Sequence, residues 1–172
     1  MFTKLPAVKF DLVNGNNDPV VVRELDIDDK FYFYVVNREP YTVTVRVQLE
    51  NAVVVNDLRT SESVIAENGV LEIKLLPFSI DAFISEGNNK VAEYLVDIPQ
   101  TETEEITKLY KKQLELFDWL EKSEYKIAGA DVIRNQLELA YESKKISKVR
   151  HILKSYVCSK TCELFNLQKA GM

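Results

Sequence analysis

Residues 30–86 read KFYFYVVNREPYTVTVRVQLENAVVVNDLRTSESVIAENGVLEIKLLPFSIDAFISE, with apolar side chains at every second position between short polar turns. In residues 41–49, YTVTVRVQL, one face of a strand carries Tyr41, Val43, Val45, Val47 and Leu49 and the other carries Thr42, Thr44, Arg46 and Gln48. A strand with one apolar and one polar face is typical of antiparallel sheets. The stretch therefore predicts the centre of an antiparallel β-sandwich.

Two other parts of this stretch, and three segments outside it, also predict strands. Residues 70–76 place Leu71, Ile73 and Leu75 on one face, whereas FYFYVV at residues 31–36 is apolar on both faces and predicts a central strand. Strands are also predicted at residues 7–13, 20–27 and 91–98, with an acidic hairpin turn at residues 26–29. We expect about eight strands in a sandwich domain that covers residues 1–99.

Beyond Pro99 the apolar spacing changes to that of helices. The acidic segment 101–105 is typical of a helix start, and an apolar stripe then continues to a helix end near Lys122. A second helix is expected to start at Ala130 or Asp131, after Gly129. A third is marked by Ile146, Val149, Leu153, Tyr156 and Val157. The predicted fold class is thus α+β, with about three helices in residues 100–172 packed on the sandwich.

Charge and hydropathy argue against two classes of partner. Residues 1–100 carry 9 Lys and Arg against 16 Asp and Glu, and residues 101–172 carry 13 against 11. Binding to phosphate backbones requires clustered basic residues, so we expect no nucleic acid partner. No apolar run approaches the roughly 20 residues that span a bilayer, so we expect no membrane partner.

Catalytic and metal-binding groups are sparse in the sequence. The single histidine, His151, lies among Lys and Arg residues in a predicted helix, where we expect a surface residue rather than a general base. Cys158 and Cys162 are four residues apart, and the sequence offers no further ligands at the spacing of a metal site. We expect two reduced thiols, no metal, no cofactor and no catalytic residue in this chain.

Several short motifs resemble the C-terminal β-sandwich domain that follows the catalytic barrel in many glycoside hydrolases. The first is a strand that ends in Asn37. The second is a D-L-x-T-x-E turn formed by Asp57, Leu58, Thr60 and Glu62. The third is an L-P-F-x-x-x-x-F strand with Leu76, Pro77, Phe78 and Phe83. The resemblance implies a non-catalytic accessory domain that packs against the catalytic domain of the same or a larger protein. The compartment would then be that of the parent, extracytoplasmic for a secreted glycosidase.

Carbohydrate binding is the alternative that the aromatic residues indicate. Tyr32 and Tyr34 lie two apart on one strand and Tyr41 begins the next, so the three could form a stacking platform for a polysaccharide, with Trp119 of the first helix joining it. The competing interpretation places these rings in the core or against the helices. A protein-interaction adaptor is a third hypothesis, because the apolar helix stripes would also serve such a role.

Overall fold

A computed structural model describes residues 4–51 and 54–171, and the chain divides into two compact units, Met1–Pro99 and Gln100–Met172. The first unit is made of strands. In the described residues these are β1 (Asp11–Leu12), β2 (Val20–Ile27), β3 (Lys30–Asn37), β4 (Val43–Leu49), β5 (Val54–Asp57), β6 (Ser63–Ile65), β7 (Val70–Leu75), β8 (Ile80–Glu86) and β9 (Val91–Asp97).

The strands form two antiparallel sheets, one six-stranded in the order β1-β2-β3-β8-β5-β6 and one three-stranded in the order β7-β4-β9. β3 lies between β2 and β8, which confirms the central position predicted for FYFYVV. The α+β class and the sandwich are confirmed. The helices were expected to pack on the sandwich, and that arrangement stays a prediction.

The core of the sandwich consists of the inward halves of the alternating strands. Val45 of β4 and Phe33 of β3 are fully buried, and the predicted inward residues Leu71, Ile73 and Leu75 are buried as well. Burying a side chain of this size contributes about 1.5–3 kcal/mol. The two-residue turn between β2 and β3 consists of Asp28 and Asp29, which are exposed with φ of 53° and 57°. Positive φ at both positions matches the tight hairpin turns that twist with the sheet.

The first strand is shorter than predicted. Residues 7–13 were expected to form it, but β1 has only two residues. Phe10, just before β1, packs its ring against Tyr34 with the ring centroids 5.1 Å apart, and its carbonyl accepts a hydrogen bond from Arg23 Nη1 at 2.9 Å.

The second unit contains four helices within the described residues: α1 (Gln100–Lys122), α2 (Ala130–Glu142), α3 (Ile146–Leu153) and α4 (Tyr156–Lys169). The predicted end of the first helix and start of the second are confirmed. The predicted third helix is wrong in extent, because it is divided between α3 and α4. Ser155 adopts an extended conformation there and its side chain accepts a hydrogen bond from the Cys158 amide, which starts a new helix.

Candidate functional site

The outer face of the six-stranded sheet is the most unusual surface of the sandwich. Register places Leu25, Tyr32 and Ile84 side by side across β2, β3 and β8, with a second row of Arg23, Tyr34 and Ala82 beside it. The other apolar side chains of this face are Leu12, Val21, Ile27, Val36, Val54, Ile65 and Ile80. The polar and charged residues Lys30, Glu86, Asn56 and Ser63 lie on it as well. Ile65 is 67% exposed and Leu12 and Val54 about half exposed, while Leu25, Tyr32 and Ile84 are half-buried. We call this surface the outer apolar face.

The outer face of the three-stranded sheet differs sharply from it. Its central strand presents Thr44, Arg46 and Gln48, and register places Glu72 and Asp97 on the same side. Arg46 Nη2 lies 2.8 Å from Asp97 Oδ2, with both side chains about half exposed. A polar, ion-paired surface of this kind is stable in water, whereas the outer apolar face leaves hydrocarbon exposed.

A shallow groove of about 450 Å³ runs along one margin of the outer apolar face. Its walls come from the segment before β1 and from β3 and β8, and it is lined by Leu5, Pro6, Ala7, Val8, Phe10, Tyr34, Val36 and Ile80. The Phe10 and Tyr34 rings lie 5.1 Å apart, and Phe10 is buried. The lining is almost entirely apolar, so the groove suits an apolar occupant rather than a hydroxyl-rich one.

The structure places two of the three tyrosines of the predicted carbohydrate platform on one face of the sandwich. Tyr32 and Tyr34 share the outer apolar face, but Tyr41 is 8% exposed and belongs to the core between the sheets. Trp119 lies in α1 of the helical unit, where its ring packs edge-on against Phe165. Within the sandwich, the predicted platform therefore reduces to Tyr32 and Tyr34. The alternation of Tyr41 with Val43 and Val45 already indicated a core position for it.

The motif residues that carried the sequence resemblance have structural roles. Asn37, 1% exposed, donates hydrogen bonds from Nδ2 to the carbonyls of Tyr41 at 2.7 Å and Leu76 at 3.0 Å. Asp57 Oδ1 accepts from the amides of Arg59 at 2.6 Å and Thr60 at 3.2 Å, which closes the D-L-x-T-x-E turn. These contacts fix loops between strands and expose no reactive group.

A buried carboxyl escaped the sequence analysis. Asp81 of β8 is paired with Val35, faces inward and is 5% exposed. Arg59 Nη2 lies 3.4 Å from Asp81 Oδ1 and 3.9 Å from Asp57 Oδ2. Burial raises the pKa of Asp81, the Arg59 guanidinium opposes this effect, and Asp57 adds to it. Arg59 thus forms an ion-pair network with Asp57 and Asp81. Asp81 lies two residues before the buried Phe83 and so on the same face of β8, which was the sequence signal for the burial of Asp81.

The helical unit has a concave surface between α1 and α2 of about 520 Å³. Its apolar floor includes Phe117 and Leu120, and Arg134 lies at its side. Arg134 is held by three carboxylates, at 2.7 Å by Asp118, 3.2 Å by Glu138 and 3.7 Å by Glu121. Arg134 of α2 thus links α2 to α1 through Asp118 and Glu121.

The histidine and the cysteines are not arranged for chemistry. His151 is exposed on α3, and both thiols are unbridged, with Cys158 buried and Cys162 half-buried. Burial raises the pKa of the Cys158 thiol, which disfavours the reactive thiolate. Within residues 4–51 and 54–171, no three His, Cys, Asp or Glu side chains are grouped so that they could hold a metal ion. No helix in the described ranges is long and apolar enough to cross a membrane.

Comparison with known proteins gives limited similarity. No model of a known protein family matches the chain, and no curated protein matches it. Among solved structures it is similar to AmyP E221Q in complex with maltotriose, with 21% identity and a TM-score of 0.41 over 46% of this chain and 17% of that one. AmyP in complex with maltose gives 23% identity and a TM-score of 0.39, over 44% and 16%. The chain thus spans less than a fifth of either AmyP chain, and function has to be argued from its own residues.

Proposed function

We propose that this chain is a non-catalytic accessory domain of a glycoside hydrolase and that the sandwich packs through its outer apolar face against the catalytic domain. The contrast between the two sheets carries the proposal. One outer face is mainly polar and charged, while the other presents apolar side chains on β1, β2, β3, β8, β5 and β6. Among the latter lie Arg23, Lys30 and Glu86 and the polar pair Asn56 and Ser63. Exposed apolar side chains grouped on one face of a sheet are typical of surfaces that bind a partner.

The chemistry of this face favours a protein partner. The row of Leu25, Tyr32 and Ile84 offers hydrocarbon with one phenol, and docking would remove it from water at about 25 cal/mol per Å² of apolar area. A neighbouring domain in the same polypeptide also has a high effective concentration, so even a modest interface stays closed. The sequence motifs at Asn37, Asp57 and Leu76 support a glycoside hydrolase as the parent.

Charge substitutions on this row test the proposal. The polypeptide that adjoins this chain in its own reading frame is expressed separately, and its affinity for the chain is measured by isothermal titration calorimetry. We expect Leu25→Lys and Ile84→Lys each to weaken binding at least tenfold. Both residues are already partly exposed, so circular dichroism should show a folded sandwich.

Leu95→Lys is the matched control, because Leu95 is 57% exposed on the outer face of the three-stranded sheet. We expect it to leave the affinity unchanged. Equal weakening by Leu95→Lys would show that the docking face was assigned wrongly. A reading frame that encodes no further domain, or an adjoining polypeptide that does not bind, would overturn the accessory role and favour an adaptor.

Carbohydrate binding is a second candidate because Tyr32 and Tyr34 remain neighbours on an accessible sheet face. Two residues along a strand separate them by about 6.6–6.8 Å, and aromatic rings on one sheet face can stack on sugar rings. Affinity electrophoresis through gels with soluble polysaccharides tests this candidate. Retardation by one glycan that disappears in a folded Tyr32→Ala, Tyr34→Ala variant would establish a binding module, and unchanged migration in every gel would reject it.

A further inference from the structure

The chain contains two Asn-Gly pairs, Asn14-Gly15 and Asn68-Gly69. In such a pair the amide nitrogen of the glycine can attack the side-chain carbonyl carbon of the asparagine, because glycine has no Cβ to hinder the approach. The attack closes a five-membered succinimide ring, which water then opens to aspartate or isoaspartate. Each Asn-Gly pair is therefore a candidate site of spontaneous covalent modification.

Asn68-Gly69 lies in a tight turn at the start of β7. The φ values of the two residues are 53° and 78°, and the Val70 amide closes the turn by donating to the Glu67 carbonyl at 2.9 Å. The Gly69 amide itself donates to the Ala66 carbonyl at 3.4 Å. Ring closure would break this bond and take both residues out of the turn, so the turn protects Asn68.

Asn14-Gly15 lies outside the strands, in the loop between β1 and β2. In the part of the chain that the structure describes, neither the Asn14 side chain nor the Gly15 amide makes a hydrogen bond. Asn14 and Asn68 are both exposed, so exposure does not distinguish the two pairs. The difference is that no bond of the Gly15 amide has to break before its nitrogen can attack the Asn14 side chain.

Packing explains why a glycine follows Asn14. Gly15 lies against the ring of Tyr94 in β9, and a Cβ at position 15 would stand 2.7 Å from Tyr94 Cε1. Any larger residue would have to displace the ring or the loop, because atoms in proteins do not approach one another so closely. The reactive pair is therefore a consequence of the close contact between this loop and β9.

We propose that Asn14 is a self-modifying site of the folded chain. The Gly15 amide nitrogen loses its proton and forms a bond to Asn14 Cγ, while the bond from Cγ to Nδ2 breaks and the nitrogen leaves with a proton as ammonia. Hydrolysis of one or the other carbonyl of the succinimide then gives aspartate or isoaspartate. Water is the only co-reactant. The rate should rise with pH, because the attacking amide must lose its proton.

The isoaspartate product should release the loop from β9. Isoaspartate carries one additional methylene in the backbone, directly before the residue that packs on Tyr94. Two residues further along, the Asn17 amide donates to Tyr94 Oη at 2.9 Å, and Asn17 Oδ1 accepts from the same hydroxyl at 3.1 Å. A longer backbone at position 14 moves Gly15 and Asn17 relative to the ring, so both hydrogen bonds weaken. Modification of Asn14 thus lowers the stability of the sandwich.

Ageing of the purified chain at mildly alkaline pH tests the site. Trypsin digestion of timed samples yields residues 10–23, which contain Asn14, and residues 60–74, which contain Asn68. Mass spectrometry follows the conversion of each asparagine to the acid, and fragment spectra assign the position within the peptide. In the folded chain we expect Asn14 to convert at least fivefold faster than Asn68. In urea, where the turn at Asn68 is lost, the two should convert at similar rates.

Asn14→Gln is the matched control, because glutamine would have to close a six-membered ring and reacts far more slowly. The aged wild type should unfold at a lower urea concentration than the fresh wild type, whereas ageing should not change the urea midpoint of Asn14→Gln. Equal rates at Asn14 and Asn68 in the folded chain would overturn the site. A rate difference that persists in urea would overturn the protective role of the turn. An unchanged urea midpoint of the modified wild type would overturn the release of the loop.

Discussion

Asn37 and Leu76 are 39 residues apart in the sequence, and the side-chain amide of Asn37 donates a hydrogen bond to the Leu76 carbonyl at 3.0 Å. The same amide donates to the Tyr41 carbonyl, and Asn37 Oδ1 accepts from the Glu39 amide at 3.0 Å. Asn37 ends a strand of the six-stranded sheet, whereas Tyr41 and Leu76 flank strands of the three-stranded sheet. The buried Asn37 side chain thus links two segments in which the chain passes between the sheets, the one from β3 to β4 and the one from β7 to β8.

Asn37→Leu should therefore destabilise the sandwich strongly. The substitution removes the three hydrogen bonds that the buried Asn37 side chain makes, each of which contributes about 0.5–1.5 kcal/mol, so we expect a loss of about 3 kcal/mol. Urea denaturation followed by circular dichroism measures the free energy of unfolding. Asn88→Leu, at an exposed turn position, should change it by less than about 0.5 kcal/mol. If Asn37→Leu also changed the free energy of unfolding by less than about 0.5 kcal/mol, other contacts would hold the connections between the two sheets.

Asp81 should make the stability of the sandwich depend on pH. Burial raises its pKa in the folded state above the usual 3.8, so protonation favours folding. The benefit is complete below the unfolded-state pKa and is lost as pH rises through the folded-state pKa. We therefore expect Asp81→Asn to gain stability relative to the wild type as pH rises from 3.5 to neutrality. Denaturant titrations across this range measure the difference, and a difference that is constant with pH would exclude Asp81 as the titrating group.

The sequence predicted the buried face of a strand only where apolar and polar residues alternate regularly. Alternation in β4 and β7 identified their buried faces, because a sheet with one wet face leaves charged residues at every second position. It could not choose the inward face of β3, where Phe33 and Tyr34 are both apolar enough for a core. The inward face of β3 is the one that packs in the core with Val22 and Val45. Which face that is depends on how strands distant in sequence pair, and the sequence of β3 alone does not show it.

The candidate site was harder to predict for a related reason. The outer apolar face combines residues of six strands, so no short window of sequence displays it. Leu76, Pro77 and Phe78 were expected in a strand, but residues 76–79 form a turn and β8 begins only at Ile80. Nothing in the sequence indicates that Phe78 would take a positive φ. The break between α3 and α4 was missed because the apolar spacing continues from Leu153 to Val157 while Ser155 starts a new helix.

Tyr94 should stabilise the long turn before β2. The Asn17 amide donates to Tyr94 Oη at 2.9 Å, and the Tyr94 hydroxyl donates to Asn17 Oδ1 at 3.1 Å. Removing the hydroxyl breaks both bonds, so Tyr94→Phe should cost about 1–2 kcal/mol in urea denaturation. Tyr156→Phe is the control, since Tyr156 is 73% exposed. Equal effects of the two substitutions would mean that the turn does not depend on this link.

Ser155 separates α3 from α4, and Trp119 fluorescence should report a loss of stability when this cap of α4 is removed. Trp119 is the single tryptophan, and its Nε1 donates to Gln168 Oε1 of α4 at 2.7 Å while its ring contacts Phe165. Ser155→Ala removes the cap of α4 and should cost about 1 kcal/mol. Thermal unfolding followed by tryptophan fluorescence should then show a lower midpoint, because α4 separates from α1 more easily. Ser159→Ala, inside α4 and exposed, should not lower it. An unchanged midpoint in Ser155→Ala would mean that α4 is held by its contacts with α1 and not by its cap.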